Sequence, residues 1–255
     1  MTIEIKTSPL EPVRNTYEHI KRRFGDKPAS RYQEASYDVA PTHNFHYRPY
    51  WEPDRELNDP RRTAIVMQDW YAHRDPRQYY YGAYVQARAK LQEITEANYA
   101  FFDKRGLGER MDEAVRARVI RCLVPLRHAE LGANMNNVFS SAYGVATVIT
   151  QAFLYNGMDR LGIAQYLSRI GLLLDGNSGA SLASAKEYWM TDPVWQGMRR
   201  YIENVLVLKD WFEVFIAQDV VLDTLVYDLM YRQFDEVLTE LDGGDIAMLT
   251  EFMKE

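Results

Sequence analysis

The sequence predicts an all-α protein, and three observations carry that prediction. From Arg61 onward, apolar residues recur at helical spacing over long uninterrupted stretches. The segment 142–174, AYGVATVITQAFLYNGMDRLGIAQYLSRIGLLL, is apolar nearly all round, the mark of a helix buried in the middle of an assembly. No stretch of useful length alternates apolar and polar residues with a period of two, as a half-buried strand requires.

Taken in order, residues 1–60 stand apart. They contain seven of the ten prolines, from Pro9 to Pro60, and many aromatics, among them Tyr32, Tyr37, Phe45, Tyr47 and Trp51. A short helix is expected within 12–24, and no period persists elsewhere. Proline removes ladder donors, yet the aromatics are too many for a solvated tail. The segment reads as an extended arm laid over another surface, ahead of a helical domain at 61–255. Interfaces favour aromatic anchors, so Tyr32, Phe45, Tyr47 and Trp51 are the expected contacts with a partner.

Residues 77–104 predict a helix ended by Gly106 and Gly108. Residues 111–139 predict a second, with Pro125 inside it and a bend expected near Arg121, whose carbonyl loses its partner. Segment 142–174 is the third. DGNSG at 175–179 breaks the chain. Asp192-Pro193 restarts it, with Asp192 as N-cap and Pro193 at the first helical position. The helix 194–240 is expected to bend near Lys209-Asp210 and to end at Gly243-Gly244. The closing DIAMLTEFMKE reads as a helix only begun, which predicts that the natural chain continues past Glu255.

The 255 residues, 47% hydrophobic and 26% charged, suit an ordinary globular protein with a full-sized core. A net charge of -6 argues against nucleic acid as the main partner. A single cysteine, Cys122, excludes an internal disulfide framework and a cysteine-only metal site, and reads as a small core residue. The N-terminus lacks a signal-peptide apolar run, and charges break every apolar stretch well before membrane-spanning length. The expected compartment is the cytoplasm.

The chemistry concentrates at RVIRCLVPLRHAELGANMN, 118–136, where Pro125 precedes His128 by three residues. In carboxylate-bridged diiron bundles that spacing belongs to Glu-x-x-His, whose members face one metal site. Proline cannot ligate. No Asp or Glu in the chain stands three residues before any of its five histidines. A working site needs about four carboxylates and two histidines, so the pattern is that of a bundle without its metal. Other candidates read as structural. His43-x-x-His46 has no cysteine pair beside it. Asp69 and His73 suit a local hydrogen bond at a helix end. Glu93 and Glu96 suit a solvated face, and YYYGAY (79–84) suits core packing. Ser140, Ser141 and Ser178 lack a nucleophile elbow, and DGNSG lacks the lysine of a phosphate loop.

Five stretches resemble the β subunit of the hydroxylase component of multicomponent phenol hydroxylases, within the bacterial multicomponent diiron monooxygenases. They are FGDKPASRYQEASYDV (24–39), RRTAIVMQDWYAHRDPRQYYYGAYVQARAK (61–90), IRCLVPLRHAELGANMNN (120–137), GMDRLGIAQYLSRIGLLLDGNSGASLASAK (157–186) and AMLTEFM (247–253). The resemblance implies a ferritin-like helical bundle without iron ligands. It implies pairing with a diiron α subunit and a small γ subunit in a dimer of αβγ trimers. An effector protein and a reductase carrying FAD and a 2Fe-2S cluster complete such a system, which consumes NADH and dioxygen. Carried over by position, His128 matches a ligand histidine and Pro125 stands where its glutamate would be. Arg88 and Asp223 fall at two further ligand positions, and the second Glu-x-x-His would lie beyond Glu255. An Arg–carboxylate pair between Arg88 and Asp223 would then replace metal charge.

The functional expectation is a non-catalytic structural β subunit of an aromatic-ring (phenol) monooxygenase, with no cofactor of its own. A metal-binding oxidoreductase is disfavoured by the ligand count. A stand-alone helical scaffold is the other alternative, and co-purification with a diiron subunit discriminates it.

Overall fold

The computed structural model describes residues 9–10, 18–27, 29–39 and 48–254. Two two-residue strands, β1 (Pro9–Leu10) and β2 (Ala29–Ser30), pair antiparallel with Leu10 opposite Ala29. Every longer described element is helical. The helices are α1 (Glu18–Phe24), α2 (Arg31–Ser36), α3 (Tyr81–Lys104), α4 (Leu107–Arg110), α5 (Glu113–Cys122), α6 (Leu126–Tyr143), α7 (Thr147–Leu174), α8 (Ala180–Thr191) and α9 (Pro193–Val205). There follow α10 (Trp211–Phe215), α11 (Asp223–Asp228), α12 (Phe234–Glu240) and α13 (Asp245–Thr250). Two π-helical segments, Ile216–Leu222 and Leu229–Gln233, flank α11. None of the described helices is long and apolar enough to cross a membrane.

The segment read as one helix over 111–139 is two helices, and Pro125 is the reason. With no N–H and a ring that clashes with the carbonyl four residues back, proline ends the ladder of α5 at Cys122. Tighter bonds bridge the gap: Leu126 N–H donates to the Leu123 carbonyl at 3.0 Å and His128 N–H to the Pro125 carbonyl at 3.0 Å. The Arg121 carbonyl, deprived of its helical partner, accepts the Trp195 indole N–H at 3.0 Å.

Other boundaries also differ from the sequence reading. The helix expected from 77 begins at Tyr81, because Gln78 sits at φ 52, outside helical geometry. Helix α8 was not anticipated. It starts after the left-handed Gly179 (φ 80), and Asp175 orders its entry by accepting the Ser178 and Ser181 N–H groups at 3.0 and 2.8 Å. The helix expected over 194–240 stops at Val205 and restarts at Trp211, where the Asp210 carboxylate accepts the N–H groups of Phe212 (2.9 Å) and Glu213 (3.2 Å). Asp192 caps α9 by accepting the Val194 N–H at 3.1 Å, with Pro193 in the first turn, as expected.

The chain divides into two compact units. One draws on Met1–Ala89, Asn137–Asn156 and Lys209–Glu213. Its aromatics pack around Trp211, with ring centroids 5.3 Å from Trp70 and 6.2 Å from Phe153, while Tyr84 stacks on Tyr155 at 4.4 Å. The Ser140 hydroxyl donates to the Trp211 carbonyl at 3.2 Å. The other unit draws on Lys90–Asn136, Gly157–Leu208 and Val214–Glu255. Its core joins Leu123, Leu126, Leu167, Ile170, Leu238, Ile246 and Leu249. Each such side chain contributes about 1.5–3 kcal/mol by leaving water. Within this unit α6 approaches α9 at Gly132, where a Cβ would lie 2.4 Å from the Ile202 Cγ2 atom.

Candidate functional site

The second unit encloses a cluster of charge. Glu130 of α6, Arg160 of α7 and Asp223 and Tyr227 of α11 converge, with Glu130 and Arg160 only 2% and 7% exposed. Arg160 Nη1 donates to Glu130 Oε2 at 3.2 Å and to the Tyr227 hydroxyl, and Nη2 donates to Asp223 Oδ2. The Tyr227 hydroxyl reaches Glu130 Oε1 at 3.4 Å. A second layer holds the carboxylates. Gln218, 1% exposed, donates to Asp223 Oδ1 at 2.8 Å and itself accepts the Asn136 amide at 2.9 Å.

Local structure explains the placement. Asp223 and Tyr227 stand four apart on α11 and so share one face. Gln218 belongs to the π segment before α11, whose wider turn is a device often found at functional sites. The Ala217 carbonyl in that segment accepts the Tyr201 hydroxyl at 3.0 Å.

Burial dominates the electrostatics. It pushes the Glu130 carboxyl up to about 7, an effect the Arg160 charge only partly offsets. Asp223 is raised for the same reason against the same counter-ion. Burial also lifts the Tyr227 phenol well above its ordinary range. For Arg160, burial alone would lower the pKa. The facing Tyr227, Glu130 and Asp223 outweigh it, and the guanidinium stays charged. The Arg160 cation faces the Glu130 and Asp223 carboxyls, Asp219 adds further negative field, and burial favours a proton on Glu130.

The other positions singled out in the sequence lie elsewhere. Arg88 belongs to the first unit, its guanidinium 5.6 Å from the Tyr84 ring centroid. Asp223 belongs to the second, held by Arg160 and Gln218. Pro125 is buried in the break between α5 and α6. His128 stacks on Trp189 at 5.6 Å, and its Nε2 meets no hydrogen-bond partner among the described residues. Burial, with Arg127 and Lys186 nearby, brings its pKa down to about 4, so it is neutral at pH 7. Of the arm residues, Tyr32 is buried in its own unit, Trp51 is 76% exposed, and Phe45 and Tyr47 lie outside the described residues, as do His43 and His46. Asp69 accepts the Tyr71 N–H at 3.1 Å and pairs with Arg23 at 3.1 Å. Glu96 is exposed and pairs with Arg169 at 2.7 Å. Cys122 is half-buried, which raises its thiol pKa.

Sequence reasoning passed over Arg160, Glu130, Tyr227 and Gln218. A signal was present: Arg160 is a cation inside a helix apolar nearly all round, and a buried charge needs partners.

This donor set does not fit a dinuclear iron centre. Carboxyls, a phenol and an amide surround a position already filled by a guanidinium, and among the described residues no imidazole enters the cluster. Among the described residues no group of three or more His, Cys, Asp or Glu side chains is placed to hold a metal ion. The arrangement can hold one proton and tie three helices together.

Comparison with known proteins is unambiguous. Residues 51–255 match the methane/phenol/alkene hydroxylase family. Over 255 residues the chain is 59% identical to the phenol 2-monooxygenase oxygenase component DmpL of Pseudomonas sp. strain CF600, covering 100% of this chain and 77% of that protein. It is 57% identical to the corresponding component MhpL of Acinetobacter pittii, with the same coverage. A crystal structure of xenon-pressurized phenol hydroxylase from Pseudomonas sp. OX1 superposes with a TM-score of 0.90 at 54% identity, covering 98% of this chain and 76% of that one. Toluene 4-monooxygenase, at 19% identity and a TM-score of 0.80 over 98% of this chain and 82% of that one, shares the helical fold.

Proposed function

Because the chain belongs to the methane/phenol/alkene hydroxylase family, we propose that it works as a non-catalytic β subunit of a phenol hydroxylase, not as an enzyme by itself. It is a small subunit of the hydroxylase, and its relatives at 59% and 57% identity are oxygenase components of phenol 2-monooxygenases. The non-catalytic reading rests on one observation: the Arg160 guanidinium sits between Glu130 and Asp223, at the heart of the helical unit. A fixed internal cation occupies the space in which a metal-dependent oxidant would need open coordination positions.

The oxidation of the aromatic ring then belongs to a partner, a diiron α subunit. The reading extends to a γ subunit in a dimer of αβγ trimers, an effector protein, and an NADH-dependent reductase with FAD and a 2Fe-2S cluster. A cytoplasmic location is part of the same reading. The arm at 1–60 is assigned to the α interface, and the exposed Trp51 supports that assignment.

The test is co-expression with the neighbouring large subunit. The expected result is a stable complex in which phenol hydroxylation and iron both require the large subunit, while this chain purified by itself carries iron well below one equivalent. About two irons per isolated chain would overturn the reading. Deleting residues 1–55 tests the arm: binding to α should be lost while helical circular dichroism is retained.

A further inference from the structure

We propose that Glu130, Asp223 and Tyr227 form a receptor for a planar guanidinium cation. Arg160 fills it from within the chain, and a free guanidinium ion fills it once that side chain is removed. The receptor stands on the geometry of this chain alone, so it holds whether or not the phenol reading does.

The acceptors come from two helices and meet the two ends of one fork. Nη1 faces Glu130 and Tyr227, and Nη2 faces Asp223, with the Tyr227 ring centroid 4.7 Å from the guanidinium carbon. A guanidinium presents its donors in a fixed plane and is weakly hydrated, which suits a buried forked site better than a compact ammonium does. Asp223 is also held without Arg160. Gln218 fixes the far oxygen of Asp223 and is fixed in turn by Asn136. Tyr227 is anchored through the Glu130 carboxylate and packs edge-on against Tyr231 at 5.0 Å. Asp219 adds negative field from the π segment. Oxygen acceptors without imidazole or thiolate leave hard divalent ions such as Mg²⁺ or Mn²⁺ as the metal competitors for the vacated space.

The experiment uses the full chain carrying Arg160→Ala, followed by thermal melting in sodium chloride with or without millimolar guanidinium at matched ionic strength. Removing the cation should lower the Tm by about 10 °C, since the buried Asp223 carboxylate loses its counter-ion and Glu130 its donor. Guanidinium at ten times its dissociation constant should restore about 4 °C, saturably, and leave wild type unchanged. The proposal fails if Arg160→Ala melts with wild type, if sodium matches guanidinium, or if Mn²⁺ stabilises the variant where guanidinium does not. Should Arg160→Ala fail to fold, Arg160→Lys carries the test. An ammonium cannot fork onto both carboxyls, so this variant should melt about 5 °C below wild type. Melting at the wild-type temperature would mean that any positive charge suffices, and would overturn the receptor.

Discussion

Glu130→Gln isolates the cost of the buried carboxyl. The side chain keeps its shape, but it can no longer ionise. In wild type the carboxyl moves from 4.5 to about 7 on folding, because burial disfavours the anion more than Arg160 favours it. At about 1.4 kcal/mol per pH unit, this displacement corresponds to about 3 kcal/mol. The sign follows from proton counting. Between 4.5 and about 7 the folded chain binds more protons at this site than the unfolded chain, so wild-type stability falls as pH rises through that window. The contribution is fully present below the window and absent above it. Glutamine has no such dependence. Urea denaturation of both proteins at pH 5 and pH 8.5 should therefore show the variant gaining about 3 kcal/mol relative to wild type as pH rises. A difference independent of pH would refute the burial argument. A variant that loses ground as pH rises would show that Arg160 holds Glu130 ionised below its usual range. A protonated-carboxyl infrared band near neutral pH, lost in the variant, is the independent check.

Trp195→Phe should cost about 1 kcal/mol by leaving the partly buried Arg121 carbonyl without its indole donor. The loss should shrink in a Pro125→Ala background, which restores a backbone N–H there, and chemical denaturation of the four proteins measures it. Gly132→Ala should destabilise by about 1–3 kcal/mol through the clash with Ile202. In an Ile202→Ala background the same change should be neutral or favourable, because alanine is the better helix former by about 1 kcal/mol; thermal melts complete the cycle. His128 is neutral in the fold, with its pKa brought down to about 4, so it costs stability as pH falls from 6.5 toward 4. His128→Phe keeps a ring against Trp189 and should flatten acid unfolding in that window, as followed by circular dichroism.

Helical periodicity and the capping pair Asp192-Pro193 are local properties legible along the chain, whereas Pro125, read as a bend within one helix, ends that helix outright. The missing Glu-x-x-His was equally legible, because ligand spacing on a helix is a matter of sequence. Helix ends were less so. Gln78 in a left-handed conformation, and Asp210 capping a new helix, reflect side chains meeting backbone in space. An arginine paired with Asp223 was expected, with Arg88 as the cation. Tertiary structure supplied Arg160, 63 positions from Asp223 and 30 from Glu130. The sequence by itself determined a helical chain resembling a hydroxylase subunit, with Pro125 three residues before His128. Only the fold decided which charges were buried together, because desolvation acts on the environment a side chain reaches, and that environment is assembled from residues far apart in the chain.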